Sequence, residues 1–222
     1  MEIRTVFHKH LREIQDDILS MGSMVSKATL RSIEALKKRD MELAHQIIAD
    51  DRKINNKRFE IEERCIELIA TQQPMASDLR TIVAILNIIT EIERIGDYAA
   101  GISKIVILIG DEPPLKPLID IPRMADQAVD MLCRSLDAFV SRDAEAAKKI
   151  IAEDDLVDHL YDQIFRELLT FMAEDPKTIT RATRLIWVAH NLERAADRVT
   201  NICERVVFVV TGKMEEIGGS TY

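Results

Sequence analysis

The chain of 222 residues has only seven glycines and six prolines, where average usage would give roughly 25 of the two together. Strand-rich folds need frequent turns built from these residues, so the composition argues against a sandwich, barrel or propeller. The hydrophobic content of 47% excludes a disordered chain, and the net charge of −8 argues against a nucleic-acid partner.

The sequence predicts neither a secretory signal nor a membrane-spanning helix. Charged residues occur throughout the N-terminal segment, which has no apolar stretch typical of a signal peptide. The longest uncharged apolar run, Thr81 to Thr90, is far shorter than the roughly 20 residues that cross a bilayer. Cys65, Cys133 and Cys203 are scattered and form no CxxC pair, so all of them are predicted to be core thiols. These features predict a cytoplasmic protein without membrane insertion.

Three helices are predicted for the first half of the chain. Apolar residues from Ile14 to Ala28 alternate between spacings of four and three, which indicates a helix that packs against another helix. Isoleucines at sevenfold spacing indicate a second helix, which ends before Pro74 because the residue preceding a proline disfavours helical geometry. A third apolar stripe is ended by Gly110. The predicted bounds are a first helix to about Lys38, a second from its N-cap Asp40 to about Gln73, and a third from about Ser77 to Ile109.

The second half of the chain repeats the first. Residues 31–51 and 134–154 are identical at eleven of twenty-one positions, at an offset of 103. The segment Glu93-Arg-Ile-Gly-Asp97 returns as Glu193-Arg-Ala-Ala-Asp197 at an offset of 100. The change of offset indicates a shorter loop after the second helix of the second copy. The chain is therefore a two-copy internal repeat.

The repeat defines the predicted architecture. Each copy has three helices with apolar stripes of its own, which is sufficient for a small bundle. The fold class is therefore all-α, with two tandem, internally repeated three-helix bundles at residues 1–112 and 113–222. The linker at 111–122 contains four prolines and is expected to be extended and stiff. Trp187 and the methionines at helical spacing are predicted to lie in the core.

Carboxylates interrupt the apolar faces of both copies. Asp51 occupies a seam position of the second helix, and Asp154 occupies the equivalent position in the second copy. An unpaired buried carboxylate is costly. Glu93 and Asp97 are four residues apart and point the same way on the third helix. The polar residues on these faces are Asp51, Asn55, Glu93 and Asp97 in the first copy and Asp154, Asp158, Asp162, Glu193 and Asp197 in the second.

The residues alone leave several interpretations of these acids open. Oxygen ligands from two facing helices could hold a hard cation or iron. Salt bridges with Arg94 and Arg194 would satisfy the same carboxylates, and a solvated acidic face is the third interpretation. A ferritin-like di-iron oxidase is excluded because it needs two ExxH pairs and only Glu42–His45 matches. His190 is interpreted as a packing residue or a support for a ligand.

Several of these segments resemble the PhoU family of bacterial phosphate-signalling regulators. The resemblance rests on Gln73-Pro-Met-Ala-Ser-Asp-Leu-Arg80, on the two segments at 93–97 and 193–197, and on the duplicated Ile-Ile-Ala-(Asp/Glu)-Asp blocks. A single ExxxD segment would carry no weight, whereas two copies in matched helices are specific. The resemblance covers essentially the whole chain.

Membership of this family would imply a cytoplasmic, non-enzymatic protein that represses phosphate-starvation signalling. It would act as an adaptor between the phosphate ABC transporter and a membrane sensor histidine kinase, and thereby regulate phosphate uptake. Apolar stripes on long helices also favour a homodimer. The rival hypotheses from other classes are a carboxylate-bridged metalloenzyme and a purely structural helical scaffold.

The resemblance further implies multinuclear iron or zinc on the acidic faces, with Mg²⁺ or Mn²⁺ as alternatives. Asn55 and Phe59 stand where the second copy has Asp158 and Asp162, so a less complete first cluster is predicted. Carried over by position, the ligands would be Asp51, Asn55, Glu93 and Asp97 in the first cluster and Asp154, Asp158, Asp162, Glu193 and Asp197 in the second.

Overall fold

Seven α-helices and one 3-10 turn make up the described part of the chain, residues 2–215 and 217, in the computed structural model. No strand occurs among these residues, which confirms the all-α fold class. The helices are α1 Glu2–Lys38, α2 Met41–Gln72, α3 Ser77–Ile109, α4 Asp120–Ser141, α5 Ala144–Ala152, α6 Asp154–Glu174 and α7 Ile179–Thr211, with the 3-10 turn at Pro176–Thr178.

The same turn joins the first two helices of each half. Arg39 and Arg142 end the preceding helix with positive φ angles of 57° and 55°. Asp40 and Asp143 follow as N-caps, and each carboxylate accepts the backbone N–H three residues ahead at 2.9 Å. The predicted role of Asp40 is therefore confirmed, and the repeat in the sequence is a repeat in backbone geometry.

The helices agree with the predicted pair of three-helix bundles, and the middle helix of the second bundle is interrupted. α5 and α6 meet at Glu153, whose carboxylate accepts from Arg134 Nη1 of α4 at 2.9 Å. Asp154 and Asp155 then occupy the first turn of α6, where carboxylates are favourable at the positive end of the helix dipole. In the first half α2 continues without a break through Asp50, the equivalent of Glu153.

The two halves meet along α3 and α7 and along α1 and α4. Glu91 Oε2 of α3 accepts from Arg198 Nη1 at 3.4 Å and from Asn201 Nδ2 at 3.2 Å, both in α7. Gly101 lies so close to α7 that an added Cβ would be 3.0 Å from Asn191 Oδ1. One continuous hydrophobic core includes residues from all seven helices. The boundary after residue 112 lies between α3 and α4, and the division into two units stays a prediction.

The segment between the halves is shorter than the predicted linker. α4 begins at Asp120, so Pro122 belongs to its first turn, where a missing N–H group costs no helical hydrogen bond. The remaining segment contacts both halves. Arg39 Nη1 donates to the carbonyl of Asp111 at 3.0 Å, and Lys116 pairs with Glu167 of α6.

Two predictions about the core are wrong. Trp187 is 51% exposed, because the buried stripe of α7 passes through Leu185, Val188 and Leu192 and leaves position 187 outside. Cys133 is exposed on α4, whereas Cys65 and Cys203 are buried as predicted. Buried methionines on the helices, such as Met21, Met124 and Met131, agree with the prediction, whereas the exposed Met75 and Met214 lie outside the helices to which it applied. No helix in the described residues is both long and apolar enough to span a membrane.

Candidate functional site

The first-half cluster is formed by α2 and α3. A Cβ added to Gly96 of α3 would lie 3.6 Å from Asp51 Oδ1 and 3.2 Å from Ile54 Cδ1 of α2, so the glycine permits a close approach of the two helices. Asn55 Nδ2 donates to Asp51 Oδ2 at 3.4 Å, which places the amide beside the carboxylate. The predicted positions on α2 therefore lie against the α3 segment that carries Glu93 and Asp97.

The carboxylates of this cluster raise one another's pKa values through their negative charges. Burial, followed by the negative charge of Asp97, raises the pKa of Asp51. Burial, followed by the charges of Asp97 and then Asp51, raises the pKa of Glu93. Cations oppose these shifts. Lys104 lowers the pKa of Asp51, and Arg58, followed by Arg94, lowers that of Glu93. The first-half cluster thus contains positive charges of its own.

The second-half cluster brings α6 and α7 together. Burial, with the charges of Asp158, Asp197 and Glu193, raises the pKa of Asp154 to about 7. Burial, with the charge of Asp197 as the next cause, raises the pKa of Glu193 to about 7 as well. Burial, then Asp197, also raises the pKa of Asp158. These four predicted residues therefore form one electrostatic group.

Arginines satisfy the second-half cluster only in part. Arg194 Nη1 donates to Asp197 Oδ2 at 2.6 Å, which supports the salt-bridge interpretation for that one carboxylate. Asp162 lies at the edge, 48% exposed, where it accepts from Arg166 at 3.4 Å. His190 Nδ1 is 3.2 Å from Glu193 Oε2, an ion-pair distance without hydrogen-bond geometry.

Oxygen atoms without hydrogen-bond partners indicate whether these residues are suited to bind a cation. Buried side-chain oxygens without a hydrogen-bond partner occur in both clusters. Such atoms are costly unless a donor or a cation satisfies them. Carboxylate and amide oxygens are donors for hard cations, so the chemistry of both clusters fits. The unpaired atoms are Asp51 Oδ1, Asn55 Oδ1, Asp154 Oδ1 and Glu193 Oε2.

Neither cluster is a closed coordination shell in the described conformation. Within residues 2–215 and 217, no three His, Cys, Asp or Glu side chains meet closely enough to hold a metal ion together. Each cluster instead consists of acidic side chains on two neighbouring helices, and some of their oxygen atoms have no hydrogen-bond partner. A groove bordered by Arg31, Asp50 and Asp51 leads from solvent to the first of them.

Comparison with known proteins identifies the family. The family model described as the PhoU domain matches residues 18–106 and again residues 121–206. The chain belongs to the PhoU family. The two matches coincide with the two copies of the internal repeat, so the duplication of the sequence is a duplication of the PhoU domain.

Relatives of this PhoU-family chain are similar over nearly their full length. The "phosphate-specific transport system accessory protein PhoU homolog" of Clostridium acetobutylicum is 39% identical over 96% of this chain and 98% of that protein. The PhoU protein of Escherichia coli K12 is 35% identical over 96% of this chain and 89% of that protein.

Solved PhoU structures also share its architecture. The crystal structure of PhoU from Pseudomonas aeruginosa superposes with a TM-score of 0.88, at 35% identity, over 93% of this chain and all of that chain (100%). The regulatory PhoU protein of Streptococcus pneumoniae has the same TM-score of 0.88 at 31% identity, over 95% of this chain and 99% of that chain.

Sequence reasoning missed the two cations of the first-half PhoU domain. Arg58 and Lys104 align with Tyr161 and Glu204 in the second copy, so the repeat itself carried the signal that the two clusters differ in charge. Their proximity to Glu93 and Asp51 depends on how α2 and α3 pack, and that packing could not be inferred from the repeat.

Proposed function

We propose that this chain is a non-enzymatic regulator of phosphate uptake and phosphate-starvation signalling. The observation that supports the proposal is the match of both halves, in order, to PhoU domains and to proteins named as phosphate-specific transport system accessory proteins. In this role the protein acts in the cytoplasm as an adaptor between a phosphate ABC transporter and a sensor histidine kinase, and it keeps starvation signalling repressed when phosphate is plentiful.

The proposed mechanism is a change of bound partner rather than a chemical reaction. Long helices packed around one core offer extended rigid surfaces. Phosphate status would reach the protein through the transporter, and the surface presented to the kinase would follow from that contact. Dimerisation of two copies belongs to the same proposal, because apolar side chains remain exposed on several helices.

Cation binding to the acidic clusters is a separate part of the proposal. A bound divalent cation or multinuclear iron or zinc centre would supply positive charge that neutralises facing carboxylates and links two helices. Each cluster contains oxygen atoms that have no hydrogen-bond partner, and burial keeps those atoms from water. The residues proposed to hold the cations are Asp51, Asn55, Glu93 and Asp97 in the first half and Asp154, Asp158, Asp162, Glu193 and Asp197 in the second.

Deletion of the gene tests the regulatory role. In phosphate-rich medium the deletion strain should derepress phosphate uptake and an alkaline-phosphatase reporter, and a plasmid copy of the gene should restore repression. Additional deletion of the sensor kinase should abolish the derepression if the signal passes through that kinase. A reporter that stays repressed in the single deletion would refute the regulatory function, and derepression without the kinase would refute the adaptor role.

A further inference from the structure

A row of aromatic side chains crosses the outer surface of α6 and α7. It consists of Phe165, Tyr161, His190 and Trp187, and we name it the aromatic strip. The ring centroids of Phe165 and Tyr161 are 6.2 Å apart, and those of Tyr161 and His190 are 6.0 Å apart. Trp187 precedes His190 by one helical turn and shares its face of α7. The strip is therefore continuous from one helix to the other.

The strip is open to solvent at both ends. Trp187 is 51% exposed and Phe165 is 37% exposed. One turn beyond Phe165, Leu169 is 45% exposed and extends the apolar surface along α6. Single exposed apolar side chains are ordinary, whereas a contiguous group of large ones marks an interaction surface.

The first half shows that the PhoU domain does not need these aromatic residues to fold. The same helix faces are present there, and the same positions carry polar or charged side chains. If core packing required these rings, both copies would have them. The strip therefore has a role that is specific to the second half. The equivalents of Phe165, Tyr161, His190 and Trp187 are Glu62, Arg58, Thr90 and Asn87.

Negative charge borders the strip. Asp158, Asp162 and Glu193 lie beside its rings on α6 and α7. Arg166 pairs with Asp162, whereas Arg194 pairs with Asp197 and acts on Glu193 only by lowering its pKa. Aromatic faces attract cations, and carboxylates pair with them. A surface of this kind is complementary to apolar side chains with lysine or arginine beside them. A metal cation bound to the same carboxylates would reduce their negative charge. The rings would contact the partner with or without the metal.

We propose that the aromatic strip is a docking surface for a helix of a partner protein that carries an apolar face edged by lysine or arginine. The proposal rests on the adaptor function proposed above, for which it supplies one partner surface. The grooves between antiparallel helices accept an amphipathic helix through side chains at i, i+3, i+4 and i+7. α6 and α7 lie side by side here, with the rings as an apolar centre that such side chains can contact and the carboxylates beside them.

The first experiment uses two short synthetic helical peptides with the same leucine face. One has lysine and arginine along its polar edge and the other has glutamate. Trp187 is the sole tryptophan, so its emission reports directly on the strip. The basic peptide should cause a saturable blue shift and the acidic peptide none. An unchanged emission spectrum, or the same shift with both peptides, would overturn the proposal.

Variants that install first-half residues provide the second test, by isothermal titration with the basic peptide. Trp187→Asn and Phe165→Glu should each weaken binding by about 30-fold, the effect expected for a central aromatic anchor. Phe165→Glu adds negative charge, so unspecific attraction would instead tighten binding. Ile66→Glu is the matched control, because Ile66 of α2 is 56% exposed and is equivalent to Leu169. Circular dichroism establishes that each variant is folded.

The remaining outcomes also decide the matter. Binding by Phe165→Glu that equals or exceeds that of the unmodified protein would overturn the proposal. A dimer that Trp187→Asn converts to a monomer in analytical ultracentrifugation would show that a second copy covers the strip, which overturns a basic partner helix. The titrations need neither transporter nor kinase, so their failure is distinct from a failure of the gene-deletion experiment.

Discussion

The two PhoU domains of this chain place similar acids on similar helices but neutralise them differently. In the first half Arg58 and Lys104 offset the charges of Glu93 and Asp51. In the second half the equivalent residues are Tyr161 and Glu204, and the pKa values of Asp154 and Glu193 rise to about 7. Both clusters have an arginine beside the glutamate, Arg94 or Arg194, and the first cluster has two counter-ions more than the second.

This difference shows how two copies of one domain can keep the same fold and acidic positions and still differ in their affinity for cations. Duplication copies the helix pattern and the acidic positions together, because the same sequence segments contain both. Later substitutions at neighbouring positions can then change the charge around the acids without changing the fold. A cation should therefore contribute more to the second half, and each prediction below contrasts the two halves.

The largest expected effect is stabilisation of the second half by cations. Divalent cations added to metal-free protein should raise its free energy of unfolding by about 2.7 kcal/mol at a concentration of 100 times Kd. Asp154→Asn with Glu193→Gln should abolish most of this gain, and Asp51→Asn with Glu93→Gln should abolish little. Calorimetric melting with elemental analysis measures both quantities. Equal losses in the two variants would contradict the contrast between the halves.

Exchange of the counter-ions should make the first cluster resemble the second. Arg58→Tyr with Lys104→Glu removes the cations near Glu93 and Asp51, and we expect divalent cations to bind there about tenfold more tightly, a change of about 1.4 kcal/mol. Titration calorimetry on the Asp154→Asn, Glu193→Gln background isolates the first site. Arg12→Tyr with Lys9→Glu makes the same charge change at exposed positions of α1 and should leave the affinity unaltered.

The metal-free protein should lose stability as pH rises. Because folding raises the pKa values of Asp154 and Glu193 to about 7, the folded state holds more protons than the unfolded state between about pH 4 and pH 7. The free energy of unfolding should therefore fall across this window and level off above it.

Urea denaturation at several pH values in the presence of a chelator measures this slope. The Asp154→Asn, Glu193→Gln variant should show a flatter profile, while the Asp51→Asn, Glu93→Gln variant should retain most of the slope. A profile that rises with pH in the unmodified protein would show that the second-half acids are already neutralised within the fold.

The smallest effect concerns the loops that precede α3 and α7. Ala76 has φ 43° and ψ −103°, a conformation that suits glycine, whereas no positive φ is found in the equivalent loop around Pro176. Ala76→Gly should relieve this strain and stabilise the protein by about 0.5–1 kcal/mol. Lys177→Gly in the second-half loop is the control and should not stabilise. Thermal melting compares the two, and a destabilised Ala76→Gly variant would refute the strain.

Local signals predicted the helices well. The bounds near Lys38, Ser77 and Ile109 agree with the structure, because N-caps, prolines and apolar periodicity act within a few residues. The break at Glu153 was not predicted, and its contact with Arg134 does not explain it, because the equivalent contact of Arg31 with Asp50, at 3.2 Å, occurs beside an unbroken α2. The exposure of Trp187 was also missed, because aromatic residues are usually buried and its outward position depends on where the α7 stripe faces.

The sequence by itself determined the all-α architecture, the duplication and the acidic positions on matched helices, because these are periodic patterns within single segments. Only the tertiary structure decided which charges oppose those acids and which face of α7 stays in solvent. Arg58 acts on Glu93, and the ring of Tyr161 lies beside that of His190, only because two consecutive helices pack side by side. Electrostatic and aromatic interactions weaken with distance, so the packing of the helices determines which partners are close enough to act.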